Sequence, residues 1–166
     1  MSISHAEAKM ELALITSKTQ GFDRTDAFSW FMNAGLPSEV IFRLEELWEA
    51  TTVIGRKIVK IGKIIIFEII RFIKENPNLA VGVAVGAAVG AIINLIPFLG
   101  PLLAPILAAI SVIIGGFAGA RLDRDQKLEK GALGIVQEVI LLAKKFFELL
   151  AAIFMALKED FAPSKS

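Results

Sequence analysis

The spacing of apolar positions changes character several times along the chain. Residues 1–20 predict a short helix with a modest apolar face at Met10, Leu12, Leu14 and Ile15, broken at Gly21-Phe22-Asp23. Asp23 or Thr25 suits the cap of a second short helix through Phe28, Trp30, Phe31 and Met32. Ala34-Gly35-Leu36-Pro37 closes it, with glycine just past the helix and proline beyond. Ser38 then predicts the N-cap of a long helix over 39–76, with Glu39 in its first turn. The first part of that helix sets Val40, Ile41, Leu44, Leu47 and Trp48 against Glu39, Glu45, Glu46 and Glu49. From 53 to 73 apolar residues fill most of the circumference. The charges at 56/57, 60, 63, 68, 71 and 74 recur near a 3.6 period, in one narrow stripe. Such an arc suits a helix that faces lipid, lies at an interface or packs on several neighbours.

From Asn76 to Ala120 the chain runs 45 residues without a charged side chain. As one helix this stretch would be about 68 Å long, too long to cross a ~30 Å hydrocarbon core once and suited to crossing it twice. Asn76-Pro77-Asn78 breaks the chain, and Pro77 fits the first turn of a new helix. The spans are then 79–96 and 102–120, each about 27–29 Å long, with Pro105 marking a kink in the second. Pro97-Phe98-Leu99-Gly100-Pro101 is the turn, whose prolines permit full crossing or a re-entrant path. Arg121 to Lys127 is an abrupt polar boundary, and Gly131 and Gly134 form a hinge. A last helix over 135–158 is apolar around most of its circumference, and 161–166 reads as a frayed tail.

The expected fold is therefore an all-α membrane protein, a two-helix transmembrane hairpin flanked by long amphipathic helices. Its parts are an acidic helical region (1–37), a long helix basic in its second half (38–76), the hairpin (77–120), and a C-terminal amphipathic helix and tail (121–166). Composition agrees: 55% of residues are hydrophobic, above the ~45–50% usual for a soluble domain. The formal net charge of +1 hides a net −4 over 1–52, +4 over 53–75 and +1 over 121–166. Such asymmetry points to a membrane surface or a partner. There is no cysteine, and residues 1–20 lack the pattern of a secretory signal, so entry from the cytoplasmic side is expected. Basic residues flank the outer ends of the hairpin and none lies in its turn, which places both termini in the cytoplasm and the protein in the inner membrane.

Gly82, Gly86 and Gly90 recur at four-residue spacing, as do Gly115 and Gly119. Small residues one turn apart let helices approach closely in lipid, so these glycines serve either self-association or packing within the hairpin. Lys74-Glu75-Asn76-Pro77 followed by Leu79-Ala80-Val81-Gly82-Val83-Ala84-Val85-Gly86 resembles the start of the membrane segment in glycine-zipper bacterial inner-membrane proteins of the ElaB/YqjD type. That resemblance implies a tail-anchored, ribosome-associated protein. The chain departs from it with a second span and some 46 residues beyond. The layout is also similar to colicin-type pore-forming domains.

Arg56, Lys57, Lys60, Lys63, Arg71 and Lys74, with Arg121 and Arg124, suit lipid headgroups or a water-filled vestibule. Asn94 and Ser111 are the only polar side chains in the spans, which excludes an ion-carrying carboxylate at mid-membrane. His5 is the only histidine, and no nucleotide loop or metal-ligand cluster occurs, so neither catalysis, cofactor nor metal is expected. No aromatic platform interleaves with the cations, which argues against nucleic acid. The leading expectation is a homo-oligomeric protein that binds membrane lipid and forms or gates a pore, or perturbs the bilayer. The alternative is a non-conducting anchor whose residues 1–52 dock a cytoplasmic partner. A third reading is a form that shields its hairpin inside the amphipathic helices and inserts later.

Overall fold

The computed structural model describes residues 2–122 and 137–163, with side chains for 2–111 and 137–161. It is mostly helical, with one small sheet. Helix α1 (His5–Thr19) starts at Ser4, whose hydroxyl accepts the Glu7 amide at 3.1 Å. Ser4 and Glu7 are in capping-box spacing, a start signal plain in the sequence. Ala8, Leu12, Ile15 and Thr19 are its buried stripe, while Met10 and Leu14 stay exposed. Helix α2 (Arg24–Asn33) ends as expected at Gly35, where φ is +88°. The Leu36 amide donates to the Phe31 carbonyl and that of Gly35 to Met32, both at 3.1 Å, so the last carbonyls of the helix are satisfied. Helix α3 (Ser38–Trp48) begins one residue earlier than expected, with Pro37 rather than Ser38 as its cap.

The long helix expected over 38–76 is instead two helices with a β-hairpin between them. Strands β1 (Thr52–Ile54) and β2 (Lys57–Val59) pair antiparallel. The two residues between them, Gly55 and Arg56, both have positive φ (56° and 74°), the backbone of a type I′ turn. The physical reason for the break is local. Thr51-Thr52-Val53-Ile54 is a β-branched run that resists helix, and Gly55 ends it in a conformation no helix contains.

Helix α4 (Ile61–Glu75) is the central element. Ten of its fifteen residues are buried, against α1, α3 and α5. The Asn76 side chain closes it by donating to the Phe72 carbonyl at 2.9 Å. Pro77 lies in the following turn, not in the next helix, because α5 (Val81–Leu95) starts after Ala80. A short 3-10 turn (Pro97–Leu99) leads into α6 (Gly100–Leu122), which contains Pro105. The final helix expected over 135–158 is divided at Phe147 into α7 (137–146) and α8 (Glu148–Ala156). The expected tail instead holds a third strand, β3 (Phe161–Pro163), which pairs antiparallel with β1 to give the order β2-β1-β3. The hinge glycines Gly131 and Gly134 lie outside the described residues.

Candidate functional site

The charge-free stretch does form a helical hairpin: α5 and α6 pack on each other across the Pro97–Leu99 turn. Among the described residues, no helix is long and apolar enough to cross a membrane. At 15 residues, α5 is about 22 Å long, short of a ~30 Å core. Its apolar surface is covered by protein. Ala84, Val85, Ala88, Val89, Ala91 and Ile92 are fully buried, and α5 packs on α4 and α8 as well as α6. On α6, Leu103, Ile106 and Ile110 are buried, and α3 packs against it. The apolar arc of α4 is likewise covered within one chain. Of the three settings expected for so wide an arc, it is packing on several neighbouring helices that the fold shows.

The glycines divide. A Cβ on Gly86 would sit 3.1 Å from the Ile110 side chain of α6, so this glycine serves packing within the hairpin. A Cβ on Gly82 or Gly90 would meet no other part of the chain within 4 Å, and both residues are only partly buried. Gly115 and Gly119 lie in the part of α6 whose side-chain surroundings are not described. At the turn, Pro97 opens the 3-10 segment, whereas Gly100 and Pro101 are the first residues of α6. Asn94 donates to the Gly90 carbonyl at 3.0 Å and closes the end of α5.

The expected stripe of cations is split between two elements. Lys63, Arg71 and Lys74 lie along one side of α4, while Arg56, Lys57 and Lys60 belong to the β-hairpin and the residue after it. Each cation of the α4 group lies near one aromatic ring, while Arg71 and Lys74 remain exposed. Lys63 sits over Trp48 (5.9 Å to the centroid), Lys74 over Trp30 (5.7 Å) and Arg71 over Phe146 (5.0 Å). Phe22 joins these rings, packed on Trp48 and Phe67. The acidic N-terminal region thus folds over the basic face of the central helix. Arg121 is described only as α6 backbone, and Arg124 lies outside the described residues.

Glu68 departs from the stripe. It is buried at 6% exposure in the heart of α4, with the Arg71 guanidinium 3.3 Å away. Burial pushes its carboxyl above the usual range, and the Arg71 charge opposes that shift. No sequence signal separates Glu68 from the exposed charges, because it keeps their period.

The sheet ties the ends of the molecule to the hairpin. Gly55 at the β-turn donates its amide to the Asp160 carbonyl at 3.1 Å, and the Asp160 carboxylate is bound by His5. Phe161 of β3 packs its ring edge-on against Phe98 in the helical hairpin's turn, with centroids 4.9 Å apart, and against Phe154 of α8 at 5.7 Å. A groove of about 350 Å³ lies between α1 and the β-hairpin, walled by Leu12, Ile54, Val59 and Leu157 with Lys9 and Lys57 among its polar lining. Among the described residues, no group of three or more His, Asp or Glu side chains could hold a metal ion. No family model, curated protein or solved structure matches this chain.

Proposed function

We propose that this is a membrane-perturbing protein whose α5–α6 hairpin leaves a protein shell to enter the bilayer, where copies assemble into a pore. One observation carries the reading. The 45-residue charge-free stretch folds as a helical hairpin, and amphipathic helices α3, α4 and α8 cover it where lipid otherwise would. An uncharged stretch of that length is satisfied by a protein core and by a bilayer alike, so it can pass from one to the other. The shell has the composition for the exchange. Helices α3 and α4 are apolar on one arc and charged on the rest, so they can trade contacts with α5 and α6 for contacts with headgroups.

On entry, α5 lengthens toward the 79–96 span and α6 supplies the second crossing. Gly82 and Gly90, open in the enclosed form, become available for close contact between copies. The inserted state is homo-oligomeric, with both termini on the cytoplasmic face of the inner membrane. The test is release of a trapped dye from phosphatidylglycerol vesicles, read with vesicle flotation. Release that rises more steeply than linearly with protein concentration is expected. Protein that floats with the vesicles yet releases no dye at any loading would overturn the proposal.

A further inference from the structure

We infer that Arg56 in the turn of the β-hairpin, Lys57 and Ile58 in β2, and Lys60 just after it, together called the tip, form a docking element for an anionic phospholipid surface. The inference deepens the membrane reading above by naming where contact begins, and it concerns a part of the chain remote in sequence from the charge-free hairpin. From Ala50 to Phe67 the chain carries four cations and no anion. Three of them lie along the hairpin: Arg56 in the turn, Lys57 opening β2, and Lys60 just past its end at the start of α4. Arg56, Lys57 and Lys60 are all exposed, and none makes an ion pair among the described residues.

The other arginines with described side chains are treated differently. Arg24 pairs with Glu49, Arg43 with Glu39 and Glu46, and Arg71 with Glu68 and Glu75. No described lysine is in an ion pair either, so what sets this segment apart is density, with three such cations within residues 56–60. Lys60 also presses on Lys63, whose ammonium is held below its usual range, first by burial and then by the Lys60 charge. Asp160, whose carbonyl accepts the Gly55 amide, has its carboxylate bound by His5.

The apolar half of the argument is Ile58. At 75% it is the most exposed large hydrophobic side chain of the described residues. It stands between Lys57 and Lys60, across from Val53 in the register. An isoleucine with cations on both sides matches the headgroup boundary, where its side chain reaches the acyl region while the cations stay with phosphate. Arg56 holds φ +74° where glycine or asparagine would be easier, so the turn spends conformational preference on presenting a cation. The tip is also firmly based. Ile54 and Val59 are buried beneath it, and β1 is paired on both sides.

Flotation with vesicles of pure phosphatidylcholine and of phosphatidylcholine with phosphatidylglycerol tests this on the whole chain, with dye release measured on the same samples. Wild type is expected to bind the anionic vesicles, with affinity falling as salt rises. The triple variant Arg56→Gln, Lys57→Gln, Lys60→Gln is expected to bind roughly a hundredfold more weakly, at about fivefold per charge. Ile58→Ser alone is expected to cost about tenfold. All four positions are exposed, and an unchanged far-ultraviolet circular dichroism spectrum verifies the variants' fold. Equal binding to neutral vesicles, or undiminished binding by the triple variant, would overturn the docking role whether or not dye is released. Tip-dependent retention on immobilised nucleic acid or polyglutamate without vesicle binding would overturn it in favour of a polyanionic partner. Normal tip-dependent binding with no dye release would leave docking standing and remove the pore.

Discussion

Gly62 offers the sharpest test of the shell. It sits in the first turn of α4, where that helix meets the end of α3 backbone to backbone. A Cβ placed there would lie 1.7 Å from the Leu47 carbonyl oxygen and 2.7 Å from the Leu47 carbonyl carbon. Both atoms belong to the main chain, so no rotamer change relieves the overlap. The Gly62 amide also donates to the Ala50 carbonyl at 3.1 Å, and that bond stretches if α4 retreats. Overpacking a tight core costs about 1–3 kcal/mol, and a lost hydrogen bond about 0.5–1.5 kcal/mol. The better helix propensity of alanine returns roughly 1 kcal/mol. Gly62→Ala is therefore expected to destabilise the protein by about 2 kcal/mol, a large share of the ~5–15 kcal/mol typical of a domain. Urea unfolding followed by the fluorescence of Trp30 and Trp48 measures it. With a slope of about 2 kcal/mol per molar, the midpoint should fall by roughly 1 M. Gly82→Ala and Gly90→Ala are the controls. Both positions are open, so each should raise stability by about 0.5–1 kcal/mol. A Gly62→Ala midpoint at or above wild type would refute the backbone contact between α3 and α4.

Glu68→Gln should change the pH dependence of stability. The folded carboxyl titrates above its unfolded value, so its protonated form adds stability at low pH that is lost as pH rises from the ordinary glutamate range through the raised one. Urea midpoints across that window should decline for wild type and lack this component in Glu68→Gln; parallel profiles would refute it. Phe161→Ala removes two ring contacts, at about 0.5–1.5 kcal/mol each beyond area burial. It should therefore speed dye release several-fold, and an unchanged rate would show that the Phe98 contact does not restrain the hairpin. Gly86→Leu should lower the urea midpoint through its collision with Ile110. Gly82→Leu should leave the midpoint near wild type and reduce dye release; the reverse ordering would break the assignment of the two glycines.

Much of the helical layout was legible in the chain, and the reasons are local. Gly35 and Pro37 end α2, Asn76 and Pro77 end α4, and Pro97 to Pro101 turn the charge-free stretch back on itself. Each is a backbone preference that tertiary packing left alone. The region from 50 to 60 was not legible, because its charges keep a helical period while its β-branched residues do not. The β-branched run and Gly55 decide for the strands, and β3 from far along the chain then pairs with β1. Hydropathy pointed to lipid for residues 79–96 and 102–120, whereas here α3, α4 and α8 cover the same surface. A transfer argument rewards leaving water and does not name the destination. The burial of Glu68 and the backbone approach at Gly62 rest on three-dimensional neighbours that no spacing rule supplies.

The two edges of the small sheet differ in how they form. β1 and β2 close across a two-residue turn, a microsecond event available to the isolated segment. β1 and β3 join Ile54 to Phe161, 107 positions away. That seam carries a loop-closure cost that the local edge does not, so it should zip last during folding and part first under stress. Because Phe161 sits in the seam and Phe98 against it, hydrogen exchange should register its opening as a separate, low-energy step that frees the helical turn while the rest of the molecule keeps its protection.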